Sequence, residues 1–140
     1  MDESNQLRVR LVTPERVLFE AAADAVALPA KNGYMEVLFG AAPLMAELGA
    51  GDVTLHGGPD GIEARYNVSW GFVEVLPDRV TILASDALKP EEINVDRAEE
   101  QLDRGQKMWH EAGDSEEAYT EALHVIAEAE AKLASAAEKR

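Results

Sequence analysis

Residues 11–53 read LVTPERVLFEAAADAVALPAKNGYMEVLFGAAPLMAELGAGDV, and the punctuation of this stretch decides the fold. Short apolar runs are interrupted at Thr13-Pro14-Glu15-Arg16, at Pro29-Ala30-Lys31-Asn32-Gly33 and at Gly49-Ala50-Gly51-Asp52. Each interruption holds residues that favour turns for a backbone reason: proline fixes φ, asparagine and glycine tolerate positive φ, and aspartate bonds its own backbone. That rhythm is the rhythm of antiparallel strands. Upstream, Leu7, Val9 and Leu11 alternate with Arg8, Arg10 and Val12, so one face of a first strand turns to a core.

Working outward, Val17-Leu18-Phe19 starts the return strand, and Asp24 to Pro29 makes another, its proline placed where no ladder donor is needed. Asn32-Gly33 is a hairpin turn signal. Ala42 to Leu48, Asp52 to His56, Ile62 to Val68, Trp70 to Leu76 and Arg79 to Ala84 read as further short strands, with Pro77-Asp78 as a tight turn. Gly57-Gly58-Pro59-Asp60-Gly61 lacks the lysine and hydroxyl of a phosphate loop and reads as a hairpin loop. About nine or ten short strands with frequent turns predict an antiparallel β-sandwich or flattened barrel over residues 1–88.

At Lys89-Pro90-Glu91-Glu92 the period changes from two to between three and four. Pro90 and Asn94 both qualify as the start of a helix. Val95, Ala98, Leu102, Gly105, Trp109 and Ala112 form one stripe, Gly113 ends it, and Asp114 with Glu117 reads as a capping box. A second stripe follows at Ala118, Ala122, Val125, Ala129, Leu133 and Ala136. Residues 89–140 are thus expected to be a helical hairpin, which makes the chain α+β, with Trp109 in its core. The stripes are mostly alanine, which buries little apolar area apiece, so the hairpin is expected to be separable from the sandwich.

The strand segment resembles the amino-terminal domain of the epsilon subunit of F-type ATP synthases. The residues that carry the resemblance are Val12-Thr13-Pro14-Glu15-Arg16, Leu28-Pro29, Gly33, Val37-Leu38, Gly40, Ala42-Pro43-Leu44, Leu48, Gly51 and Val53. Gly71-Phe72-Val73-Glu74-Val75, Val80-Thr81-Ile82-Leu83-Ala84 and Ile93 with Arg97-Ala98 extend it in the same order. Departures are local. Where the family has the loop Gly-x-x-Gly-x-Leu-Pro-x-His-x-Pro-Leu, this chain has Glu36 at the second Gly, Phe39 at the Pro and Ala41 at the His, and Trp70 replaces the first Gly of Gly-Gly-Phe. Trp70 and Phe39 either fill a gap or project, and if both are exposed they form one patch.

The resemblance implies a non-catalytic rotor subunit of a proton-translocating synthase, linking the gamma subunit to the c-ring, at the cytoplasmic face of a bacterial inner membrane. It implies a partner surface at Gly33, Tyr34, Met35, Glu36, Phe39, Gly40, Ala41 and Pro43, and a helical arm that restrains ATP hydrolysis by touching the alpha and beta subunits. The family's ATP motif falls on Ile93, Asn94 and Arg97, and its two helix-two arginines fall on Glu128 and Lys132. A glutamate there repels phosphate, so no cofactor is expected.

Charge and composition narrow the field independently. The formal charge is −14, divided as −7 over residues 1–88 and −7 over residues 89–140, which disfavours nucleic acid and anionic lipid as direct partners. Solvated surface is the simple reading of this charge, and a basic partner surface is the functional one. There is no cysteine, hence no disulfide or thiolate chemistry. The start of the chain, Met1-Asp2-Glu3-Ser4-Asn5-Gln6, is not the pattern of an export signal, and no apolar run reaches the ~20 residues of a membrane span. His56, His110 and His124 are scattered and no zinc spacing occurs. The pairs Glu91-Glu92, Glu99-Glu100 and Glu116-Glu117 lie on helix surfaces, so an enzyme is not expected. A free-standing sandwich module that recognises another protein surface is the alternative.

Overall fold

The computed structural model describes residues 5–57 and 63–138. The chain divides into two compact units, Met1–Ala87 and Leu88–Arg140. In the first, seven strands run in the order β1 (Leu7–Val12), β2 (Val17–Ala23), β3 (Ala25–Ala30), β4 (Gly33–Leu38), β5 (Leu44–His56), β6 (Ala64–Leu76) and β7 (Arg79–Leu88). The second holds a 3-10 turn at Pro90–Glu92, then α1 (Val95–Glu111) and α2 (Glu116–Ala137). The expected α+β chain, strands first and a helical hairpin after, is what folds.

The strands form one sheet in the order β2-β1-β7-β6-β5-β3-β4. Two corrections to the expected strand plan follow. Among the described residues there are seven strands rather than nine or ten, because β5 and β6 are 13 residues each: β5 runs through the expected break at Gly49-Ala50-Gly51-Asp52, and β6 runs through Ser69, where two strands were expected to part. The sandwich is also not purely antiparallel: β1 lies parallel to β7, with Val9 opposite Val80 and Leu11 opposite Ile82. The first strand enters beside the last, which closes the sheet edge that a simple meander would leave open. Of the expected loop Gly57-Gly58-Pro59-Asp60-Gly61 only Gly57 is described; the rest of it and the start of a strand at Ile62 lie outside the described residues.

One sheet makes two layers by bending its long hairpin. The first part of β5 pairs with the end of β6, from Leu44 opposite Val75 to Leu48 opposite Gly71. Past the bend, Ala50 to Leu55 pair with Ser69 to Ala64, while β3 runs along the other side of β5. The β3–β5 register jumps between Ala27 and Ala30, opposite the bend. Glycine permits the close approach: a Cβ on Gly49 would sit 3.3 Å from the carbonyl oxygen of Ala30, and one on Gly51 would sit 2.9 Å from Pro29 Cβ. Alternating side chains fill the space between layers, among them Leu7, Val9 and Leu11 of β1, Val80 and Ile82 of β7, and Val26 and Leu28 of β3.

Turn chemistry is legible with small shifts. The β3–β4 turn is Lys31-Asn32, one residue earlier than expected, with Ala30 opposite Gly33. Asn32 does not take positive φ; Gly33 does, at 136°. Pro77-Asp78 is the two-residue β6–β7 turn.

The helices start and stop for identifiable reasons. Lys89 N–H donates to Glu92 Oε1 at 2.8 Å and Pro90 opens the 3-10 turn, while Asn94 Oδ1 accepts from Arg97 N–H at 3.1 Å and caps α1. Both candidate starts are therefore used. Gly113, at φ 58°, ends the first helix. Ser115, not Asp114, caps α2, its Oγ accepting from Ala118 N–H at 3.2 Å. The helices meet through small residues: Ala98, Gly105, Ala122 and Ala129 are buried, and the Gln101 amide donates to Val125 carbonyl at 3.1 Å. Trp109 departs from expectation. It is 38% exposed and lies edge-on to Tyr119 at 5.5 Å, because α2 has only just begun at this end of the hairpin.

Two substitutions test these close approaches. Gly71→Ala drives a Cβ into the Leu83 carbonyl oxygen at a backbone φ of 138°. It is expected to cost about 2 kcal/mol or more in a denaturant titration, and an unchanged midpoint would contradict the register at this point. Gly105→Ala raises helix propensity by ~1 kcal/mol. Its Cβ would lie 2.8 Å from Ile126 Cγ1 and 3.0 Å from Val125 Cγ1, and neighbouring Ile126 backbone leaves little room to yield. A net loss of helical-hairpin stability is expected, read by hydrogen exchange of α1 amides; a gain would mean that the helices sit farther apart.

Candidate functional site

The segment Gly33–Pro43 is half strand and half turn. Gly33 to Leu38 form β4, at the outer edge of the sheet beside β3, so only one side of this strand is paired within the sheet. Val37 is buried and Met35 half-buried, whereas Gly33, Tyr34, Glu36 and Leu38 are exposed. Phe39-Gly40 then turn the chain. Gly40, at φ 91°, donates its N–H to Pro77 carbonyl at 2.7 Å, and Ala41 N–H donates to Leu38 carbonyl at 3.2 Å. The turn is thereby fixed to the β6–β7 turn at one end of the sandwich. No Cβ neighbour crowds Gly40, so glycine is needed there for its φ and not for space.

Around this turn the large side chains face solvent. Leu38, Phe39, Leu44 and Met45 are all exposed, Met45 at 64%. Sequence reasoning named Phe39 and Pro43 here and did not single out Leu38, Leu44 or Met45; Leu44 and Met45 read as ordinary strand residues. The missed signal is that four large apolar residues flank a Gly-Ala-Ala-Pro turn too short to bury them. Glu36 projects from the outer side of β4, opposite Ala27. Ala41 is half-buried and packs against the sandwich core.

Tyr34 is held differently from the rest of the segment. Its ring is exposed, yet its hydroxyl accepts the Asp52 N–H at 2.8 Å over Gly51. Asp52 in turn pairs with Arg65 at 3.6 Å and accepts from the Asn67 amide at 3.2 Å. Tyr34 therefore belongs to the polar clasp at the β5 bend and fixes the β3–β4 hairpin to it.

Trp70 and Phe39 do not form one patch. Trp70 is half-buried at the bend, next to Gly71 and across from Gly49, while Phe39 sits by Pro77. Seven residues of strand at ~3.3 Å each separate the two ends by roughly 20 Å. Trp70 is also the only described non-glycine residue with positive φ, at 55°. That conformation costs roughly 1–2 kcal/mol for a residue with a Cβ, so the indole is accommodated at the bend under strain.

The residues aligned with an ATP motif are placed as follows. Ile93 is buried, Asn94 caps α1 and Arg97 is exposed. Lys132 Nζ lies 3.2 Å from Glu128 Oε2 one helical turn away, with both side chains largely shielded from solvent. As for reactive groups, His56 Nδ1 sits 2.7 Å from Glu63 Oε2 across the β5–β6 hairpin base, and His110 lies edge-on to Trp109. Among the described residues no three of His, Asp or Glu converge on a metal position. No described helix is long and apolar enough to cross a membrane.

Comparison with known proteins places this architecture. The family model for the ATP synthase delta/epsilon chain β-sandwich domain matches residues 6–90, ending before α1. An ATP synthase epsilon chain of Solibacter usitatus is 40% identical over 134 residues, 95% of this chain and 97% of that one. One of Koribacter versatilis is 43% identical over 106 residues, 74% of this chain and 71% of that one. A chain in the cryo-EM structure of the Euglena gracilis mitochondrial ATP synthase superimposes with a TM-score of 0.78 at 19% identity, covering 99% of this chain and 85% of that one, a likeness of fold. The bent two-layer sandwich followed by a capped helical pair, matched in sequence across both parts, is that of the ATP synthase epsilon chain family, to which this chain belongs.

Proposed function

We propose that the chain is a non-catalytic rotor subunit of a proton-translocating F-type ATP synthase, seated in the central stalk between the gamma subunit and the c-ring. The observation that carries this reading is the apolar rim of Leu38, Phe39, Leu44 and Met45, which stands exposed on a turn anchored to the sandwich by the Gly40–Pro77 hydrogen bond. Torque transfer asks for a stiff body with fixed contact surfaces and for no reactive side chain. A single core shared by two layers supplies the stiffness, and an exposed apolar cluster on a fixed turn suits a permanent protein contact. Gly33, Tyr34, Met35, Glu36, Phe39, Gly40, Ala41 and Pro43 form the ring-facing segment, with Tyr34 and Ala41 holding it and Phe39 and Glu36 meeting the partner. The complex sits at the cytoplasmic face of a bacterial inner membrane and holds this subunit through its partners.

The helical hairpin serves as a regulatory arm that touches the alpha and beta subunits and restrains ATP hydrolysis. The contact between its two helices is made largely through alanine and glycine and buries little area per residue, and the hairpin is a compact unit of its own, which supports movement as a separate arm. Nucleotide plays no part in that movement, because Lys132 is paired with Glu128 and Asn94 with the α1 backbone. Millimolar Mg-ATP is therefore expected to shift the melting temperature of the isolated chain by less than about 1 °C, a saturable rise of several degrees being the contrary result.

Reconstitution tests the two roles separately. Added to the cognate catalytic complex, a chain ending at Leu88 is expected to restore coupled rotation while ATP hydrolysis runs faster than with the full chain. Equal hydrolysis rates would remove the regulatory arm and leave the stalk role standing. Failure of the full chain to bind the complex would remove both.

A further inference from the structure

The outer face of the β2-β1-β7 layer holds a feature that the ring-facing segment does not use. Arg8 on β1 lies directly opposite Arg79 on β7, and Arg10, two residues along, lies opposite Thr81 and Glu20. Half of the six lysines and arginines in residues 1–88 are thus gathered at one point of a chain whose charge is −14. Two like charges side by side on paired strands repel, so packing alone gives no reason for them. A shallow cavity of about 320 Å³ opens between them, lined by Arg8, Arg10, Arg79, Glu20, Asp78 and Thr81.

The same strands continue into apolar surface. Two residues beyond Arg10 on the same face is Val12, in register with Leu83 of β7 and Val17 of β2. Leu83 and Val17 are exposed, as is Phe72 on β6, whose neighbour Gly71 lies against the Leu83 carbonyl. Cationic and apolar halves therefore share one face, about 13 Å apart from Arg79 to Leu83 at ~3.3 Å per residue.

The pairing of the arginines bears on what binds. Arg10 lies 3.0 Å from Glu20 and Arg79 lies 3.6 Å from Asp78, all of them solvent-exposed. Exposed pairs of this kind are worth about 0–1 kcal/mol, so they orient the guanidinium groups and yield to a partner's carboxylates at little cost. A free phosphate or an anionic lipid surface gains no contact from the apolar half and meets both the local carboxylates and the overall negative charge. A protein segment with carboxylates at one end and apolar side chains at the other matches both halves.

We propose that Arg8, Arg10 and Arg79 form a cationic seat for an acidic, amphipathic segment of a neighbouring subunit, whose apolar residues lie on Leu83, Val12, Val17 and Phe72. This rests on the rotor reading and adds to it the chemistry of one partner surface.

The test measures binding of the full-length chain to its purified catalytic complex depleted of this subunit, over a range of salt. The Arg8→Gln/Arg10→Gln/Arg79→Gln variant, with its fold checked by circular dichroism, is expected to bind about tenfold or more weakly with a shallower salt dependence, and the triple lysine variant to retain most of the affinity. A photo-crosslinker at Thr81, with all three arginines in place, should capture a partner peptide that carries carboxylates. Equal binding by the glutamine variant, or a captured peptide without carboxylates, overturns the seat while leaving the rotor reading intact. So does arginine-dependent binding to phosphatidylglycerol vesicles, which assigns the face to lipid. Failure of the unaltered chain to bind the complex overturns the rotor reading itself and the seat with it.

Discussion

Two long strands must change direction together for this sandwich to exist. β5 and β6 are paired on both sides of the bend, so the turn cannot be made by one strand alone. The backbone passes within side-chain distance of its neighbours on both strands: Gly49 against Ala30, Gly51 against Pro29 and Tyr34, and Gly71 against Leu83. Any Cβ at Gly71 would open the bend, and opening the bend would part the two layers that share one core. The polar groups freed there are caught locally. Tyr34 hydroxyl takes the Asp52 N–H, and the Asn67 amide reaches both Gly51 carbonyl and Asp52, so the corner is bonded as well as packed.

That corner also organises the surfaces. Because the β3–β4 hairpin is clasped at the bend by Tyr34, its far end delivers Phe39 and Gly40 to the β6–β7 turn, where Pro77 carbonyl holds them. Asp78, next in that turn, accepts the Arg8 N–H at 3.1 Å and brings β1 in parallel beside β7. The apolar rim and the arginine seat are thus placed by one turn of two residues. Rigid backbone bonds, not long side chains, fix where each surface lies, which suits a body that bears on its neighbours.

The helical pair rests on a different balance. Gly105 and the buried alanines let the helices approach closely, but each contributes little burial. The Gln101–Val125 hydrogen bond crosses from α1 to α2 and fixes their register, while the Lys132–Glu128 pair lies within α2 and supports only that helix. Near the turn Trp109 lies edge-on to both His110 and Tyr119 and stays partly exposed.

Periodicity alone marked where strands give way to helices, since Pro90, Asn94 and Gly113 act through their own backbones and side chains within a turn or two. Leu7, Val9 and Leu11 announced an inward face for the same local reason. The number of strands was not legible. Gly49 and Gly51 look like breaks in a one-dimensional reading, as does Ser69 between two expected strands, and only the opposing strand shows a bend in a continuous ladder. Nor could any short window pair Arg8 with Arg79, separate Trp70 from Phe39, or leave Leu38, Leu44 and Met45 outside the core. Those outcomes depend on contacts between residues far apart in the chain. Local chemistry sets the type of each element, while the surfaces that meet a partner come from register and from the way the sheet folds over.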